Sequence, residues 1–153
     1  MNLPAANQPQ RRTIMRYLSV MAAGNLVWEI AHVPLYTLWL TGTGGEIAYA
    51  ILHCTLGDVL IAATTLGLAL LLVGRGWPVQ RVQPVALLTI IFAVAYTVFS
   101  EWLNISVRGA WAYRDIMPTV PPFGTGLTPV LQWLAVPLIA FRFALRQRLP
   151  SHF

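Results

Sequence analysis

IAYAILHCTLGDVLIAATTLGLALLLV, residues 47–73, contains one formally charged side chain, Asp58. About 20 predominantly apolar residues suffice for a helix to cross the hydrocarbon core of a bilayer, so this run predicts a transmembrane helix with length to spare. The rest of the chain agrees. Of its 153 residues, 57% are hydrophobic and 10% are charged, against about 25% charged in a soluble domain. So few charges cannot clothe a globular core in water; lipid is the solvent that fits. The length allows one domain, residues 1–153, and little besides spans and loops.

Three further apolar runs qualify as spans, at 14–40, 84–107 and 127–145. The first is too long and too often interrupted by polar residues to be a signal peptide, and reads as an uncleaved anchor. All ten basic residues are arginine, and eight lie in the N-terminal tail, in residues 74–83 or in the C-terminal tail. Four spans place those three segments on one side, which the positive-inside rule makes cytoplasmic. The expected architecture is therefore an all-α, polytopic four-helix bundle with both termini in the cytoplasm of a bacterial inner membrane. Because the +5 net charge flanks apolar runs, it predicts a bilayer as partner, not a nucleic acid. A homo-oligomer or a partner membrane subunit fits the same pattern. Cys54 is the only cysteine, which excludes an intrachain disulfide and a paired-cysteine redox motif.

The outer loop, RGAWAYRDIMPTVPPFGTG at residues 108–126, is rich in residues that stiffen or turn the chain. Trp111 and Tyr113 suit the headgroup belt, and the segment reads as an interfacial lid or re-entrant cap. Glu29-x-x-His32 in the first span is echoed by Glu101-x-x-Asn104 in the third. Each precedes a Gly-Thr-Gly element, at 42–44 and 124–126, which suggests a repeated helical hairpin.

Ionisable groups inside the spans carry the strongest functional signal. Only five residues are acidic, and Glu29, Asp58 and Glu101 all fall within spans, as do His32 and His53. Asp or a basic residue at the centre of a spanning helix costs at least ~2.5 kcal/mol, so intramembrane charges normally face a partner or a wet cavity. Asn25, Glu29, His32 and Tyr36 fall within about 60° on one helical face, and Thr97, Glu101, Asn104 and Arg108 make a similar stripe. His53 and Asp58 differ by about 140° in azimuth, so at most one of them is expected to join a shared site. At 1.5 Å per residue Glu29, His32, His53, Asp58, Glu101 and Gln132 lie about 8–16 Å below the outer ends of their spans.

Two chemical readings follow. Glu29, His32 and His53, with Glu101 or Asp58, make a plausible nitrogen and oxygen set for a single divalent metal. The plainer reading is a structural network in which Glu29 pairs with His32, Arg108 neutralises Glu101, and Asn25 and Asn104 bond neighbouring helices. A haem held between His32 and His53 ranks below both, being large for four short helices and lacking an attachment motif. Nucleotide-binding, nucleophile-elbow and zincin motifs do not occur.

The runs SEWLNISVRGAWAY (residues 100–113), GTGLTPVLQW (124–133) and HCTLGD (53–58) resemble small uncharacterised four-helix integral membrane proteins of proteobacteria. That resemblance implies a fold and a location, and no activity. From the residues, the expected function is a membrane-embedded enzyme acting on a lipid or isoprenoid-like substrate. Glu29, Glu101 and Asp58 are its expected acid–base groups, and His32 and His53 its ligands or proton shuttles. Asn25, Tyr36, Asn104, Arg108, Trp111, Tyr113 and Gln132 are expected around them. The alternatives are a small proton- or cation-handling subunit, and an accessory subunit without chemistry.

Overall fold

Each long helix buries one stripe of residues at three- and four-residue spacing, the mark of an α-helix packed on a single face. In the computed structural model, which describes residues 8–146, α1 (Gln8–His32) buries Thr13, Tyr17, Met21, Asn25, Glu29 and His32. The stripe of α3 (Gly44–Val73) includes Thr55, Asp58, Ala62 and Ala69. That of α4 (Val82–Glu101) steps by fours through Val85, Thr89, Ala93, Thr97 and Glu101. In α5 (Leu127–Leu145) the stripe runs from Pro129 and Gln132 to Ala144. The acids, the amides and His32 gather toward one end of the stripes, and the other end is apolar apart from Thr13, Thr65 and Thr89.

The outward faces invert the pattern of a soluble protein. Leu71 is 85% exposed and Leu60 69%, whereas the acids Glu29, Asp58 and Glu101 are buried. Among the described residues four helices are long and apolar enough to cross a membrane; the chain has the make-up of an integral membrane protein. Lipid leaves no hydrophobic drive between helices, so close packing of small residues must supply cohesion. Ala62, Ala69, Ala93, Ala140 and Ala144 line the interior, and Gly24 lets α1 lie directly against Val136 of α5. The helices form a ring, α1 against α3 and α5, and α4 against α3 and α5; the α4–α5 seam is the least extensive.

Three helix boundaries depart from the apolar runs. The first helix is not continuous over 14–40. It ends at His32, tightens into a 3₁₀ turn at Val33–Leu35 and restarts as the short α2 (Leu38–Thr41). Pro34 has no N–H to give to the carbonyl one turn back, and its ring clashes there. At its start α1 reaches back to Gln8, because arginine and glutamine are good helix formers that a hydropathy reading overlooks. Thr43 opens α3 with a capping box, accepting from the Glu46 N–H while Glu46 accepts from the Thr43 N–H at 2.8 Å. That gives the first Gly-Thr-Gly element its role. The second forms β2 (Thr125–Gly126), paired antiparallel with β1 (Thr119–Val120), so the two elements differ in local structure. Beyond Glu101, α4 continues as a π-helical turn, Trp102–Val107.

At the apolar end Tyr17 packs on Phe141, ring centroids 4.6 Å apart, above the turn that buries Trp77. Arg148 and the first seven residues of the N-terminal tail lie outside the described residues.

Candidate functional site

Gln132, on α5, is where the stripes of three helices meet. Its Nε2 lies 2.8 Å from Asp58 Oδ2 of α3, and 3.3 Å and 3.2 Å from Glu29 Oε1 and Asn25 Oδ1 of α1. All four side chains are buried. The i, i+4 spacing of Asn25 and Glu29 presents both acceptors to one amide. One turn on, His32 Nε2 sits 3.1 Å from Glu29 Oε2, so both oxygens of Glu29 have partners, one on its own helix and one across the bundle.

The site continues outward through rings. His32 meets Tyr36 edge-on at 5.4 Å between centroids, and Tyr36 meets Tyr113 at 5.4 Å. The Tyr113 hydroxyl donates a short hydrogen bond to Glu101 Oε2 and accepts one from the Gly126 N–H at 2.8 Å. Burial, and then the neighbouring Glu101 carboxylate, raise the Tyr113 phenol above its ordinary value, which keeps it protonated and donating. Glu29 and Glu101 are thus joined by an unbroken series of contacts. The π-helical turn starts immediately after Glu101; such turns recur at functional sites because they re-aim the helix end.

The loop of residues 108–126 is a fixed cap, not a loose one. Tyr36 and Tyr113 form a β-bridge; the Thr37 N–H donates to the Ala112 carbonyl at 3.0 Å and the Arg114 N–H to the Leu35 carbonyl at 2.9 Å. Arg114 Nη1 donates to the Pro34 carbonyl at 2.6 Å. Helix breaking at Pro34 thus exposes backbone that the loop satisfies, which a bare loop at membrane depth would have to find elsewhere. A Cβ on Gly126 would stand 3.0 Å from the Tyr113 ring and hydroxyl. Gly126→Val should therefore unseat Tyr113 from Glu101, and limited proteolysis should cut residues 108–126 several-fold faster than in wild type. An unchanged cleavage rate would show that the cap is held by other means.

Most expected residues are here, with four corrections. His53 does not join: it is exposed and stacked on Tyr49, centroids 5.6 Å apart, because it lies on the far side of α3 from Asp58. Without it the metal set of Glu29, His32 and His53 does not form, nor does the paired-histidine arrangement for haem. Among the described residues no group of three His, Cys, Asp or Glu side chains is placed to hold a metal ion. Arg108 does not neutralise Glu101; it is exposed and reaches Asn104 Oδ1 at 3.3 Å, and the Tyr113 phenol takes its place. Asn104 turns back on its own helix, to the Ser100 carbonyl at 2.9 Å, since the π-turn rotates it off the stripe of Glu101. Trp111 is partly buried, its indole Nε1 without a hydrogen-bond partner.

Sequence reading missed Arg114, whose role depends on a carbonyl that only the folded turn presents. It also missed the hydroxyl of Thr125, which is buried without a partner, as are that of Thr97, already on the Glu101 stripe, His32 Nδ1 and Asn25 Nδ2.

The fold and site together define a four-helix membrane bundle with a capped carboxylate, amide and imidazole cluster near one end. Against known proteins the chain matches no family model, no curated protein and no solved structure.

Proposed function

We propose that this chain is a membrane-embedded enzyme that performs acid–base chemistry on an uncharged lipid or isoprenoid-like substrate. The observation that carries this reading is the convergence of Asp58, Glu29 and His32 around Gln132, linked through two tyrosines to Glu101. Carboxyl and imidazole groups in mutual contact can take and give protons at neutral pH once burial separates their affinities. The buried, unpartnered His32 Nδ1 and Asn25 Nδ2 are free to orient a polar group of a substrate.

Three features support the substrate class. Both arginines of the outer loop are turned away, Arg108 to Asn104 and Arg114 to a backbone carbonyl, so a phosphorylated headgroup would meet three carboxyl groups and no guanidinium. Recognition of phosphate normally uses arginine or lysine. The weaker α4–α5 seam gives an apolar chain a lateral way in. Below the cluster the bundle is an apolar plug of Ala62, Leu66, Ala69, Ala93, Val136 and Ala140. The hydroxyls of Thr65 and Thr89 there turn back to their own helices, at 2.7 Å and 2.8 Å. A proton relay needs polar groups that continue across the membrane, and this arrangement suits a blind site better.

Lipid extracts from cells expressing wild type, Glu29→Gln and Glu101→Gln should differ in the neutral fraction by mass spectrometry, with one species changed at least tenfold by wild type alone. Identical lipid profiles, together with proton flux into proteoliposomes that Glu29→Gln abolishes, would replace the enzyme with a relay.

The orientation belongs to the same proposal. Arg11, Arg12, Arg16, Arg75, Arg81, Arg142 and Arg146 share the apolar-plug end, and Glu46 and Asp115 lie at the cluster end. Positive charge favours the cytoplasmic side, so the cluster faces the outside of a bacterial inner membrane. Reporter fusions after Arg81 should read cytoplasmic and those at Thr119 external. A cytoplasmic Thr119 would break this arrangement.

A further inference from the structure

Gln132 Nε2 carries two hydrogens, yet three oxygens crowd it: Asp58 Oδ2, Glu29 Oε1 and Asn25 Oδ1. Glu29 Oε1 and Asp58 Oδ2 share that one nitrogen at 3.3 Å and 2.8 Å, which sets the two carboxyl groups side by side. Two ionised carboxylates in that position repel strongly in a medium of low dielectric, and like charges so placed cannot both persist. The surrounding groups supply one source of relief. His32 Nε2 touches the far oxygen of Glu29, Oε2, and does not reach Asp58. Glu101 adds further negative charge from α4, and the cap contributes a phenol, not a cation. No arginine touches either acid among the described residues.

We infer that Glu29 and Asp58 hold one proton between them, carried on Asp58 and donated to Glu29, so that Asp58 is the acid of the site and Glu29, backed by His32, its base. The hydrogen count then closes. The Asp58 hydroxyl gives Glu29 Oε1 its donor, and the two amide hydrogens are left for Asn25 Oδ1 and Asp58 Oδ2. His32 Nε2 stands on the other oxygen of Glu29 at 3.1 Å. When the proton departs, the electron pair of the O–H bond stays on Asp58, where the amide of Gln132 at 2.8 Å is already in place to hold the new carboxylate. This assignment deepens the proposed acid–base site but rests on its geometry alone, so it holds for an enzyme or a relay.

Asp58 and Asp115 are the only aspartates in the chain, and Asp115 is exposed, which makes the proton unusually easy to locate. Infrared spectra of the full chain in lipid at neutral pH should show the carbonyl band of a protonated carboxylic acid. Carboxyl-¹³C aspartate should shift that band in the unmodified protein; Asp115→Asn should leave it, and Asp58→Asn should remove it. A band that labelled aspartate does not shift puts the proton on a glutamate and overturns the assignment, as does the absence of any such band. The labelling needs no mutation, so a variant that fails to fold cannot obscure the result. A shifted band without any change in cellular lipids would sink the enzyme reading and leave the shared proton standing.

Discussion

Gln132→Leu should be the most damaging single change in the interior. Leucine fills a similar volume but strands Asp58 Oδ2 and Asn25 Oδ1, the buried acceptors of the two amide hydrogens. A buried polar group left without its partner costs about 1–3 kcal/mol. Hydrogen bonds between membrane helices average nearer ~0.6 kcal/mol, because the separated helices find other partners. Even the lower figure, applied to each of the two stranded oxygens, predicts a destabilisation of roughly 1 kcal/mol. Thermal unfolding in detergent should show it, and any lipid-modifying activity should vanish with it. Leu138→Ala, on the lipid-facing side of the same helix at 58% exposure, is the control. Equal losses from the two would mean that Gln132 does not tie the helices together.

Gly24→Ala should act on the same site from one residue away. A Cβ at position 24 would stand 2.7 Å from Val136 Cγ1, closer than side chains pack, and overfilling an interior typically costs about 1–3 kcal/mol. Moving α1 off α5 to relieve the strain draws Asn25 and Glu29 away from Gln132. Val136→Ala removes the opposing methyl groups, so the double variant should recover at least half of the lost thermal stability. A double variant no more stable than Gly24→Ala would place the clash elsewhere.

The architecture was legible because lipid imposes a coarse rule: long apolar runs become helices, and the buried stripe can be read from three- and four-residue spacing. That rule brought Glu29, His32 and Asn25 to one face, and it put Asp58 and His53 on different faces of α3. It could not say which of those two turns inward, since either choice leaves a polar side chain to be accommodated; packing against Gln132 decides for Asp58. Pro34 was visible, but whether it would bend a helix or end it depends on whether another segment can satisfy the exposed carbonyls. Here residues 112–114 do so, and their contact across some 75 positions of chain leaves no local trace. Tyr113 in place of Arg108 on Glu101 has the same origin. The π-helical turn rotates position 108 outward, and helical periodicity drawn at a constant 100° per residue does not register the change.

The central claim is that groups from separate helices form one buried site, and its shortest link between helices is Asp58 Oδ2 to Gln132 Nε2 at 2.8 Å. Solid-state NMR of the chain in bilayers, labelled with side-chain ¹⁵N glutamine and carboxyl-¹³C aspartate, measures that link directly. A strong ¹⁵N–¹³C dipolar coupling at hydrogen-bonded range, lost in Gln132→Leu and kept in Asp115→Asn, is the predicted result. No coupling in the unmodified protein, or one that survives Gln132→Leu, would contradict the shared site.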